Sequence, residues 1–145
     1  MSWLADASAN KIVQGYINNF MDVSGNFKVR NGQTVTNTPV SWSQLGVDID
    51  GEAAGDQFGH SVSLSSDGSI LAIGGRRNDG TATNAGHARV YQYANSTWSQ
   101  LGSDIDGEAM YDIFGHSISL SSDGSIVAIG AYGNDGNGSA SGHVR

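Results

Sequence analysis

Trp42-Ser43-Gln44-Leu45-Gly46 and Phe58-Gly59-His60-Ser61 return as Trp98-Ser99-Gln100-Leu101-Gly102 and Phe114-Gly115-His116-Ser117. Residues 42–89 and 98–145 are one 48-residue text written twice, 56 residues apart, with 33 identical positions and 15 differences. A fixed period of this length marks a repeat architecture, in which each unit buries its apolar face against the next. The second copy reaches Arg145, whereas the first runs on through Val90-Tyr91-Gln92-Tyr93.

Within one repeat the pattern predicts four short strands. Gly59–Leu64 alternates Val62 and Leu64 with serines, and Ser66-Asp67-Gly68 supplies a turn. Ile70–Gly74 is a continuous apolar run, suited to a strand covered on both faces. Asn78–Ala85 is a polar loop. His87–Tyr93 forms the third strand, Asn95-Ser96 the next turn, and Thr97–Gly102 the fourth strand. Most glycines recur in register: Gly59 with Gly115, Gly68 with Gly124, Gly86 with Gly142. The 21 glycines therefore punctuate strands and do not indicate disorder.

Upstream, Ile12, Val13, Tyr16, Ile17, Phe20 and Met21 make one apolar stripe, predicting a short amphipathic helix over 6–22. Asn31-Gly32 lies between alternating segments and predicts a β-hairpin over 26–36 with a two-residue turn. Asn37-Thr38-Pro39 reads as a linker. The chain thus divides into a helix-plus-hairpin leader, 1–39, serving docking or assembly, and a repeat region, 40–145.

Charge divides the same way. Residues 1–41 carry net +1, and residues 42–145 carry four basic and twelve acidic residues, within a total of −7. An acidic repeat region argues against nucleic-acid binding, which needs clustered Lys and Arg to neutralise phosphates. With no cysteine, disulfide and thiolate–metal frameworks are excluded. No apolar run approaches the length of a membrane span, so no membrane insertion is expected. Nor does the N-terminus carry the basic and apolar regions of a secretory signal.

Three stretches carry a resemblance. Gly55-Asp56-Gln57-Phe58-Gly59-His60-Ser61-Val62, Leu71-Ala72-Ile73-Gly74-Gly75 and Gly86-His87-Ala88-Arg89-Val90-Tyr91 resemble the FG-GAP repeat of integrin-α-type β-propellers. Ile129-Gly130-Ala131 in the second copy is closer still to that pattern. The resemblance implies an all-β protein of four-stranded antiparallel propeller blades, usually seven in a ring, in extracellular adhesion or ligand-binding proteins. On that frame the chain holds a lone fourth strand at 40–46, a blade at 58–102 and a partial blade at 114–145, an incomplete ring. Either the chain is a fragment, or several chains build one ring, Val40–Gly46 completing another chain's last blade. The leader also resembles, more briefly, those preceding repeat or fibre domains in proteins of large marine algal viruses. Its carriers are Asn10–Ile17 and Val23–Phe27. That resemblance implies a virion protein.

The family's calcium loop is missing from its usual place, since Ser65–Gly68 and Ser121–Gly124 offer too few oxygens for a cage. A second candidate is the acidic loop Asp48, Asp50, Glu52, Asp56 and its copy Asp104, Asp106, Glu108, Asp112. Its oxygens at positions 1, 3, 5 and 9 resemble a calcium loop, although the glycine stands at position 4. The plainer reading has Asp56 and Asp112 capping the turn into the next strand, with the other acids solvated. The paired histidines His60/His116 and His87/His143 either bond neighbouring loops or join a metal site. Trp42 and Trp98 either cover a seam between blades or stack on a sugar ring. The glycine-rich stretch at 133–138 lacks the lysine of a phosphate loop, and no serine sits in a nucleophile elbow.

The expected function is therefore a non-enzymatic structural or attachment protein of a virion or cell surface. It would act through protein partners or self-assembly, with glycan contact also open. The alternatives are a calcium-assisted carbohydrate- or protein-binding module and an accessory domain of a secreted hydrolase.

Overall fold

The computed structural model describes Phe27–Lys28, Thr34–Val35 and residues 42–145. The chain falls into two units, Met1–Ser43 and Gln44–Arg145. In the first, β1 (Phe27–Lys28) pairs antiparallel with β2 (Thr34–Val35), Phe27 opposite Val35 and Lys28 opposite Thr34. The pairing is that of the expected hairpin. Its expected Asn31-Gly32 turn lies outside the described residues. The expected helix at 6–22 and the linker 37–39 lie outside the described residues.

The second unit is all-β. β3 (Phe58–Leu64), β4 (Ile70–Gly75), β5 (His87–Ala94) and β6 (Thr97–Gln100) follow one another across an antiparallel sheet. The β3–β4 turn is closed by one carboxylate. Asp67 accepts from the Ser65 hydroxyl at 2.6 Å and from the Ser69 amide at 3.0 Å, while Gly68 takes φ +73°. Asn95 and Ser96 both take positive φ (52° and 65°), the geometry of a two-residue hairpin loop, and set Ala94 opposite Thr97. The fourth strand is shorter than expected. It stops at Gln100, breaks at Leu101–Asp104, and resumes as β7 (Ile105–Asp106) against His87 and Ala88 of β5.

The second blade repeats this plan as β8 (Ser117–Leu120), β9 (Val127–Ala131) and β10 (His143–Val144), in sheet order β10-β9-β8. Its third strand pairs His143 with Ala131 and Val144 with Gly130, and Arg145 exchanges backbone hydrogen bonds with Ile129 at 2.7 and 3.0 Å. The expected lone strand at 40–46 is a correction: its described part, residues 42–46, forms no strand. Thr97–Gln100 is a strand because Tyr91–Ala94 precedes it across a tight turn. Among the described residues no such arm precedes Trp42 across a tight turn.

The blades meet along β3, β4 and β8. Ser61 Oγ donates to the Gly115 carbonyl at 2.6 Å, the Leu120 amide donates to Ser63 Oγ at 3.0 Å, and the Ser66 amide donates to the Ser122 carbonyl at 2.8 Å. Gly86, at φ +79°, bridges Phe114, and a Cβ there would run into the Phe114 backbone. Against this seam lies the core cluster of Ala88, Phe114, Ile129 and Ala131, with Ile105, Ile118 and Val127 packed around it. The serines of β3 thus face the neighbouring blade. Val62 and Leu64 are 61% and 56% exposed, whereas their copies Ile118 and Leu120 are half-buried. Among the described residues no helix is long and apolar enough to cross a membrane.

Candidate functional site

Each acidic loop is closed by its last acid. Asp56 is buried and accepts from the Ala53 amide at 3.1 Å and from Asn78 Nδ2 at 2.9 Å. Asp112 is buried and accepts from the amides of Glu108 and Ala109 at 3.1 and 3.0 Å and from Asn134 Nδ2 at 3.1 Å. The two asparagines are themselves buried. Asn78 turns its side-chain carbonyl to the Gly80 amide at 2.8 Å, and Asn134 does the same to Gly136 at 2.9 Å. This Asp–Asn clasp ties each entry loop to the loop after the blade's second strand. Neither asparagine stood out in the sequence, although Asn78-Asp79-Gly80 returning as Asn134-Asp135-Gly136 was a legible signal.

The remaining acids separate. Asp48 is exposed and accepts from Gln44 Nε2 at 2.8 Å, and Asp50 and Asp106 are exposed. Asp104 accepts from Gln100 Nε2 at 2.7 Å and from Arg89, whose Nε and Nη2 grip its two oxygens at 2.9 and 2.8 Å. Arg89 Nη2 also pairs with Glu52, and the guanidinium lies 5.7 Å from the Phe58 ring centroid. The Arg89 bonds hold the Asp104 carboxyl below its ordinary pKa, and Asp104 in turn raises that of Arg89. In the second repeat Arg145 pairs with Glu108 at 3.4 Å and lies 4.5 Å from the Phe114 ring centroid.

Beside Arg89 stands His87, fully buried at the head of β5, its ring edge-on to Phe58 at 5.6 Å. Neither ring nitrogen has a hydrogen-bond partner. Nδ1 lies 3.5 Å from Asp104 Oδ2 and 4.0 Å from Glu52 Oε2. Burial, with the Arg89 charge adding, pushes the pKa of His87 down, and Asp104, Glu52 and Asp106 oppose that shift. Among the described residues Glu52, His87 and Asp104 are the one set of three metal-competent side chains whose ligand atoms converge, all within 4.8 Å of one another. The expected calcium sets each took four acids from one loop. The structure instead brings one acid from each loop to a histidine between them.

Two of the other three histidines stack across the seam, His60 on His116 at 5.1 Å between centroids, with Tyr132 edge-on to His116 at 4.8 Å. Trp98 packs against Tyr93 at 5.1 Å and donates its indole N–H to the Leu45 carbonyl at 3.0 Å. Its copy Trp42 is 95% exposed. The two tryptophans, equivalent in the repeat, therefore occupy different environments.

No curated protein matches the chain. The profile of the FG-GAP repeat matches at residues 47–91 and again at 104–144. Both spans begin in an acidic entry loop and run through three strands of a blade. The repeated text, the antiparallel blades and the unclosed ring agree with that match, and the chain belongs to the FG-GAP repeat family, whose propeller-like blades serve as binding or structural modules.

Proposed function

We propose that the protein is a non-enzymatic structural or attachment module of a virion or cell surface, and that its repeats bind a second copy of the chain head to tail. One observation carries this reading: the seam inside the chain has two halves, and a copy of each half is exposed. One half consists of Ile118 and Leu120 on β8, and its copy, Val62 and Leu64, faces solvent. The other half consists of Ser61, Ser63 and Gly74. Its copy, Ser117, Ser119 and Gly130, borders open grooves of about 390 and 250 Å³ at the second blade. Surfaces that already fit each other within one chain fit between chains, and a heterologous contact of this kind closes a ring or grows a filament. The leader, 1–39, serves docking in this reading, and the exposed Trp42 offers a further protein or glycan contact.

Native mass spectrometry of the full chain tests it. The expected result is a discrete oligomer that the double substitution Val62→Asp, Leu64→Asp reduces to monomer while the melting temperature of the monomer is kept. A wild-type chain that stays monomeric at the highest soluble concentration overturns self-assembly. An oligomer that survives the double substitution overturns the head-to-tail geometry.

A further inference from the structure

We infer that Glu52, His87 and Asp104 form a binding site for a single first-row divalent cation of the zinc class. The site lies where the entry loops of the two repeats meet over the head of β5. The inference stands on geometry at His87. A fully buried imidazole with no partner on either nitrogen is rare in a folded protein, because the lone pair and the N–H both go unanswered. His87 points Nδ1 between two carboxylate oxygens, at 3.5 Å from Asp104 Oδ2 and 4.0 Å from Glu52 Oε2. Two ligands bound at about 2.1 Å to one tetrahedral ion stand about 3.4 Å apart, so the Asp104 spacing already fits. The three ligand atoms lie within 4.8 Å of one another, and Glu52, 47% exposed at its side chain, is the one with room to close in.

The donor set determines the class of ion. One imidazole nitrogen with two carboxylates suits zinc and its first-row neighbours, whereas calcium and magnesium ask for an all-oxygen shell. Arg89 holds Asp104 through both oxygens and pairs with Glu52 Oε1, and Asn78 Nδ2 donates to Glu52 Oε2 at 3.1 Å, the oxygen that lies 4.0 Å from His87 Nδ1. Such outer partners orient ligating carboxylates and keep them ionised. With a neutral imidazole, two carboxylates and one guanidinium leave the site a net negative charge to receive the cation.

The neighbouring position makes room for the ring. A Cβ on Gly75 would meet His87 Nε2 at 2.7 Å. The second repeat has Ala131 at that position, and its His143 is half-buried, edge-on to the Phe114 ring at 6.1 Å.

Isothermal titration of the chelator-treated full chain with zinc chloride, alongside calcium and magnesium chloride, tests the site. One zinc per chain is expected, bound at least about tenfold more tightly than calcium or magnesium, with a shift of the His87 ring nitrogen resonances. Glu52→Gln, a change at a half-exposed side chain, and Asp104→Asn should each weaken zinc by about 10–100-fold. His60→Gln, which removes the stacked surface pair, should leave the affinity unchanged. Absence of zinc binding overturns the site. So does binding lost in His60→Gln but intact in Glu52→Gln, which would assign zinc to the surface histidines.

Discussion

The two repeats share their text but not their surroundings. Phe114 is fully buried and Phe58 half-buried, Ile118 is half-buried and Val62 exposed, and Trp98 is packed while Trp42 is bare. The difference follows from neighbours. The second blade has the first along its β8 side, and the first has no blade along its β3 side among the described residues. Equal sequence thus gives the same strand order and the same turns, while the burial of each side chain is set by what lies across the seam.

Four measurements sharpen or break this comparison. The largest effect belongs to the phenylalanines. Phe114→Ala should destabilise the chain by about 3–5 kcal/mol in urea titration, the cost of a fully buried aromatic, and Phe58→Ala by less than half of that. Equal costs would mean that the first blade's face is covered in solution. Next come Gly86→Ala and Gly142→Ala, both at positive φ. A Cβ at Gly142 meets only ordinary contacts near 3.4 Å, so the left-handed strain of about 1–2 kcal/mol stands alone there. At Gly86 the Phe114 backbone blocks the Cβ, and overpacking adds about 1–3 kcal/mol. Thermal melts of the two variants should rank in that order.

A third pair, Ile118→Ala and Val62→Ala, should differ by about 1 kcal/mol at low concentration, because only the first residue is packed. If the two become equal as concentration rises, the exposed face is being covered by assembly. The smallest effects are those of pH. His87 has its pKa lowered by burial, so the unfolded chain binds the extra proton more readily. Stability should therefore fall as pH drops below the ordinary histidine value near 6.5, and His87→Gln should remove that slope. Asp67 and Asp123 are both held down to about 2, chiefly by the hydroxyls of Ser65 and Ser121. Their contribution is present above about pH 4 and lost as pH falls toward 2. Because both turns are built alike, Asp67→Asn and Asp123→Asn should flatten the acid limb equally. An unequal change would show that the seam bond from the Ser66 amide to the Ser122 carbonyl supports the two turns unequally.

The strands of the blade were legible because local chemistry determines them. Ser65-Ser66-Asp67-Gly68 makes the same carboxylate-closed turn wherever it stands, and Asn95-Ser96 tolerates the positive φ that a tight hairpin needs. The role of Asp56 and Asp112 as caps was also within reach, since each closes a turn a few residues away. The lone strand expected at 40–46 does not form over its described part, 42–46, because a strand exists only as a pairing. The meeting of Glu52, His87 and Asp104 could not be read at all. Its members lie far apart in the chain, and only the descent of two loops onto one strand end unites them.

The sequence by itself therefore determined the repeat, its period, the antiparallel blade and the family, since turn residues and alternation act over a few positions. Tertiary structure alone decided which copy of each residue is buried, which serines face a neighbour and where one histidine meets two carboxylates. Those outcomes depend on burial and distance across a seam, and identical stretches of chain cannot encode a difference in what they pack against.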